Sequence, residues 1–125
     1  MNCLLDTHTL LWCLANDPSL SAQARAIIAE PSNIIFVSSA STWEITIKKS
    51  LGKLKAPDNL EQAIGDCRFL QLPITITHSI MVGTLPQIHE DPFDRVLIAQ
   101  AAIENLTLIT RDNIMPKYSV AVVKA

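Results

Sequence analysis

The feature that most constrains this chain is an alternation. Short β-branched or leucine-rich runs are separated by longer segments of helical period, with no internal repeat and no linker between them. Strands that lie parallel need a crossover of a dozen or more residues, usually a helix, so the alternation specifies an α/β fold built on a parallel sheet. Strands are predicted at residues 3–6, 34–38, 69–74, 106–110 and 119–123, and helices at 9–15, 21–29, 42–51, 60–67, 79–83 and 92–105. Several strand runs are apolar on both faces, as expected when helices cover both sides of the sheet. With 125 residues, the expectation is a single domain over 1–125 around one core.

Composition excludes several classes. Hydrophobic residues make up 49% of the chain and charged ones 18%, which is incompatible with intrinsic disorder. No apolar run approaches the roughly 18–20 residues of a bilayer span, and Asp6 interrupts the first apolar segment too early for a signal peptide. A cytoplasmic protein that does not engage a membrane is therefore expected. Cys3, Cys13 and Cys67 are odd in number and lack C-x-x-C spacing, so they are expected to be free, buried thiols rather than a disulfide framework or a zinc site. The formal charge of −2 taken alone argues against a polyanionic partner.

In open parallel sheets, ligands collect beyond the carboxyl ends of the strands. These handover points read L-L-D-T-H-T, V-S-S-A-S-T-W-E and L-I-T-R-D-N, and each carries a carboxylate: Asp6, Glu44 and Asp112. A further acidic block, H-E-D-P-F-D-R, opens the helix before the 106–110 strand. Its Asp91 and Asp94 reach the same edge only if their approach loop folds over it.

Capping alone accounts for any one of these acids. Asp6 can cap the helix that follows it, Ser41 and Glu44 have the S-x-x-E spacing of a capping box, Asp91-Pro92 has the pattern of an N-cap followed by proline, and Asp112 can hold a turn. Glu44 tips the balance. Ala40, Ile47 and Leu51 share its helix face, which predicts an inward-facing carboxylate, and such a group needs neutralisation, a partner or a cation. Lys48, one turn on, is the competing partner. Several carboxylates on one edge repel one another and raise each other's pKa, and a divalent cation is the usual way to keep them ionised. An all-oxygen donor set suits Mg²⁺ or Mn²⁺ rather than Zn²⁺.

Other chemistries find little support. His8, His78 and His89 lack the i, i+4 pairing of a zinc helix and are expected to be surface or packed side chains. Nucleophilic-serine and nucleotide-cradling motifs are absent. Trp12 and Trp43 lie near two acidic handovers, where they could stack on a base, but burial trends favour the core. Lys48, Lys49, Lys53 and Lys55 supply four of the ten basic charges directly after Glu44, as a phosphate track or as a solvated helix end. Arg95 and Arg111 each follow an acidic candidate and are placed to orient a carboxylate or to meet phosphate.

The segments L-L-D-T-H-T-L-L-W, W-E-I-x-I-K-x-x-x-G-K-L, H-x-D-P-F-D-R-x-L-I-A-Q-A and L-x-L-I-T-R-D occur in the order found in PIN-domain toxins. From Leu4 to about Asp112 the chain resembles the VapC ribonucleases of toxin-antitoxin pairs. The resemblance implies a PIN-like three-layer α/β/α sandwich, Mg²⁺- or Mn²⁺-dependent endoribonuclease activity on RNA, a homodimer, and inhibition by a cognate VapB-like antitoxin. It matches Asp6, Glu44, Asp94 and Asp112 to the family's four acids as metal ligands, Asp91 to an additional acid of the subgroup, and Thr110 to a hydroxyl residue beside the metal. Setting those four acids aside leaves ten basic against eight acidic side chains, so the objection to a polyanion weakens. Two rival readings remain. One is a haloacid-dehalogenase-like phosphatase with Asp6 as nucleophile, although His8 stands where its second Asp is expected. The other is a non-catalytic nucleic-acid or protein interaction module in which the acids are only caps.

Overall fold

The computed structural model describes residues 1–125. Five strands, β1 (Asn2–Leu5), β2 (Ile34–Ser38), β3 (Leu70–Leu72), β4 (Thr107–Thr110) and β5 (Val122–Lys124), form one sheet in the order β3-β2-β1-β4-β5. All four pairings are parallel. Six helices connect them: α1 (Thr7–Leu14), α2 (Ala22–Ala29), α3 (Ser39–Ser50), α4 (Leu60–Asp66), α5 (Ile76–Val82) and α6 (Pro92–Glu104). None is long and apolar enough to cross a membrane.

The runs that are apolar on both faces explain the layering. On β1, Cys3 and Leu5 point into a core with Ile35, Val37 and Ile109, covered by Leu10 of α1, Ala24 of α2 and Ile64 of α4. Leu4 and Leu108 point the other way, into a second core with Leu97, Ile98 and Ala101 of α6. Alternate side chains of a strand face opposite sides. The chain therefore forms the expected three layers, with α5 packed on α6. It winds outward from β1 through β2 to β3, then returns to add β4 and β5 on the opposite side. The direction of winding reverses between β1 and β4, the switch point where ligands collect in doubly wound sheets.

Element starts differ from the expectation where capping was misread. Helix α3 begins at Ser39 because the Ser38 side chain accepts the Ala40 N–H, so the Ser41–Glu44 box does not form. Ser41 instead lies buried within the helix, its Oγ without a protein partner. Helix α5 begins at Ile76, since Thr75 and His78 form a capping box with histidine in place of the usual Glu or Gln. The 69–74 strand contracts to Leu70–Leu72, and the last strand moves to Val122–Lys124. A short 3₁₀ turn over Met115–Lys117 was not predicted. Of the cysteines, Cys3 is buried, Cys13 half-buried and Cys67 exposed, which corrects the expectation for Cys67.

Candidate metal centre

At the end of β1, Asp6 is buried and both its oxygens are engaged. Oδ1 accepts the Thr9 N–H at 2.9 Å, capping α1, and Oδ2 accepts the Thr110 hydroxyl at the end of β4. The Thr110 Oγ1 in turn accepts the Asp112 N–H at 3.0 Å. This hydroxyl therefore ties the Asp6 carboxylate to the backbone of Asp112.

Glu44 is also buried, between α1 and α3: Oε1 accepts the Thr7 hydroxyl at 2.6 Å and Oε2 pairs with the Lys48 ammonium. Burial was the expected outcome, but the supporting argument fails in part. Ile47 is partly exposed and Leu51 is 61% exposed, so their stripe is not a core face. Glu44 is enclosed because α3 packs against both α1 and α6 at this level.

The approach loop does fold over the edge and delivers Asp94. Burial first, and then the charges of Asp91, Asp6, Asp112 and Glu44, push the Asp94 carboxyl up to about 8. Five carboxylates therefore share one neighbourhood. Asp112 is held differently. Burial works to raise its pKa, but the Met115 and Ile114 N–H groups and the His89 ring stabilise the carboxylate and hold it below the usual range. Asp91 spends Oδ1 on the Phe93 and Asp94 N–H groups as the N-cap of α6.

The capping interpretation is thus right for Asp6, Asp91 and Asp112 and insufficient for the group. Glu44 and Asp94 cap nothing, and desolvated like charges are unfavourable without compensation. The donor set is oxygen-rich and hard, which fits Mg²⁺ or Mn²⁺. His89, which sequence reasoning assigned to surface or packing, lies among these acids with Nε2 3.1 Å from both Asp94 Oδ2 and Asp112 Oδ2. Thr7 was also missed. Only the position of His89 at the head of the H-x-D-P-F-D-R block hinted at its place.

The PIN domain is the family whose sequence model matches, over residues 3–121. This chain is a PIN domain. No curated protein matches it in sequence. Among solved structures, the PIN domain is similar to a chain of VapBC2 from Rickettsia felis bound to a DNA fragment from their promoter, at 17% identity, TM-score 0.71 and 98% coverage of both chains. FitAcB from Neisseria gonorrhoeae aligns at 20% identity and TM-score 0.65, covering 99% of this chain and 97% of that one. DNA-bound VapBC from Salmonella typhimurium aligns at 18% identity and TM-score 0.65, covering 98% and 97%.

The remaining candidates of the PIN domain fall apart from the acidic cluster. Arg95 is buried and turned away from the carboxylates: its guanidinium donates to the Val82, Leu85, Pro86 and His89 carbonyls and to the Tyr118 hydroxyl. It straps the loop that carries His89, and no carboxylate is among its hydrogen-bond partners. Arg111 donates to the Ser19 and Ala125 carbonyls and lies 4.4 Å from the centre of the Trp12 ring. Trp43 is 60% exposed, contrary to expectation, and packs edge-on against Phe93 with centroids 5.4 Å apart. Lys48 is paired with Glu44 and Lys49 with Asp58, so two of the four track lysines are already engaged, while Lys53 and Lys55 stand exposed. His8, which stands where the phosphatase reading needs a second Asp, is exposed, and the match to the PIN family does not favour that reading.

Proposed function

We propose that this PIN domain is a VapC-type toxin: a divalent-metal-dependent endoribonuclease of a toxin-antitoxin pair. The observation that carries the reading is the convergence of Asp6, Glu44, Asp94 and Asp112 at the switch point of the sheet, where Asp94 feels the charge of the other three. The similar solved chains come from VapBC and FitAcB assemblies, which supports a VapB-like antitoxin as partner.

On this reading the four carboxylates hold the ion, Asp6 and Asp94 as the main ligands, Glu44 and Asp112 directly or through water, and Asp91 as an additional acid. Mg²⁺ or Mn²⁺ bound there would polarise the scissile phosphodiester and lower the pKa of an attacking water. Thr110 keeps Asp6 and Asp112 in register, Thr7 fixes one oxygen of Glu44, and Arg95 supports the loop that carries His89. Glu44 is the carboxylate placed to accept the water's proton once Lys48 releases it. RNA phosphates would approach along α3, past Lys53 and Lys55. Homodimerisation has an available surface, since Ile76 and Ile80 lie one turn apart on α5 at 78% and 67% exposure.

Purified, partner-free protein should cleave RNA with Mg²⁺ or Mn²⁺. EDTA, Asp6→Asn and Asp94→Asn should each abolish cleavage. Full cleavage by either variant refutes the site assignment, and cleavage that persists in EDTA refutes metal dependence.

A further inference from the structure

His89 bridges carboxylates from two different elements, Asp94 at the start of α6 and Asp112 in the turn after β4. Its Nε2 is 3.1 Å from an oxygen of each, and the three groups offer ligand atoms that all lie within 4.8 Å of one another. By spacing alone, one histidine and two aspartates at such distances form a mixed nitrogen and oxygen metal site. The other ring nitrogen argues against it. Nδ1 accepts the Asp91 N–H at 3.1 Å, which engages its lone pair and places the ring hydrogen on Nε2. What faces the two carboxylates is then a donor, with no lone pair free for an ion.

The ring is held in this orientation from behind. The His89 N–H donates to the Tyr118 hydroxyl at 2.8 Å, that hydroxyl donates to the Pro86 carbonyl at 2.8 Å, and Arg95 donates to the His89 carbonyl at 3.3 Å. The side chain is 8% exposed. A ring flip would place carbon against the half-buried Asp91 N–H and forfeit that hydrogen bond.

We infer that His89 is a positioning residue of the acidic centre, whose Nε2–H gathers Asp94 and Asp112 at ligand separation while itself staying outside the coordination sphere. The ion is thereby offered oxygen only. Asp112 accepts the hydrogen bond of the ring and Asp94 packs against the same nitrogen at 3.1 Å, so the ring fixes the spacing of two side chains from different elements before any cation arrives. The inference rests on the carboxylates being a metal site.

Three measurements test it, with Mn²⁺ as the probe. In the metal-free protein, the ¹⁵N shifts of the His89 ring should report the Nε2–H tautomer; the Nδ1–H tautomer overturns the inference. In the Mn²⁺ complex, pulsed EPR should show no ¹⁴N coupling of the strength of a directly bound imidazole; such a coupling makes His89 a ligand and also overturns it. By calorimetry, His89→Ala should weaken Mn²⁺ binding about tenfold to a hundredfold, the usual effect of losing an outer-shell partner. His89→Gln, whose amide keeps a donor near the reach of Nε2, should stay within a few-fold of the parent. Equal affinity in His89→Ala, or equal losses in both variants, overturns the positioning role. If His89→Ala does not fold, the two measurements on the parent protein still decide. A parent that binds no Mn²⁺ refutes the metal-site reading itself, a result distinct from any failure of His89 within a working site.

Discussion

Replacing Thr110 by Val isolates the hydroxyl that joins the two strands at the centre. Valine keeps the shape, so the change removes one donor to Asp6 Oδ2 in a buried setting and one acceptor for the half-buried Asp112 N–H. A hydrogen bond to a carboxylate contributes about 1.5–3 kcal/mol and a neutral one about 0.5–1.5 kcal/mol, so the expected destabilisation is about 2–4.5 kcal/mol. A domain of this length should unfold in a two-state manner in urea. At a slope of about 2 kcal/mol per molar urea, the midpoint falls by about 1–2 M with the slope unchanged. Thr110→Ser is the control: it keeps both hydrogen bonds and loses one methyl group, for about 1 kcal/mol. The reasoning is refuted if Thr110→Val unfolds within about 0.5 kcal/mol of the parent, or if Ser is the more damaging of the two. Because the same hydroxyl orients Asp6 and Asp112, Thr110→Val should also weaken Mn²⁺ binding more than Thr110→Ser does.

Arg95→Met should destabilise the fold by at least about 2 kcal/mol, since carbonyls of the 82–89 segment lose their donor and each buried orphan costs about 1–3 kcal/mol. Urea unfolding reads the loss, and accelerated hydrogen exchange confined to that segment and His89 locates it; an unchanged midpoint contradicts the strap. Iodoacetamide at pH 8 should label Cys67 well before Cys13, because burial first, and then Cys67, push the Cys13 thiol up to about 11 while Cys67 is exposed. Peptide mass spectrometry checks the order, and equal rates at the two sites would contradict it.

Most of the scaffold was legible because its signals are periodic. Strand runs apolar on both faces require cover on each side, and the first four strands were separated by enough chain for a helix, so the layers and their parallel sense follow. The last two strands are joined by a shorter segment without an α-helix, and their parallel pairing was not legible this way. The carboxylates were legible because parallel strands bring their carboxyl ends to one edge. What escaped were features set by contacts distant in sequence. The direction of Arg95 depends on carbonyls six to thirteen residues earlier in the chain, which a local motif does not reveal. The place of His89 depends on how its loop folds back onto the turn after β4. The exposure of Trp43 reflects a surface where α3 and the start of α6 meet solvent, and helical spacing is blind to that. Glu44 shows how a correct outcome can rest on a partly wrong argument, for its apolar neighbours in the periodic stripe turned out to face water.

The hydroxyl bridge between Thr110 and Asp6 spans 104 residues of sequence. The first acid is thus synthesised long before its strand partner β4. Until β4 has inserted beside β1, Asp6 lacks one of its two hydrogen-bond donors and the turn that carries Asp112 has nowhere to sit. A chain still emerging from the ribosome therefore cannot assemble the cluster, however well its first three strands have paired. If the centre cleaves RNA as proposed, the protein would in this way be inert toward the machinery translating it, and acquire its centre only as β4 and β5 close the sheet.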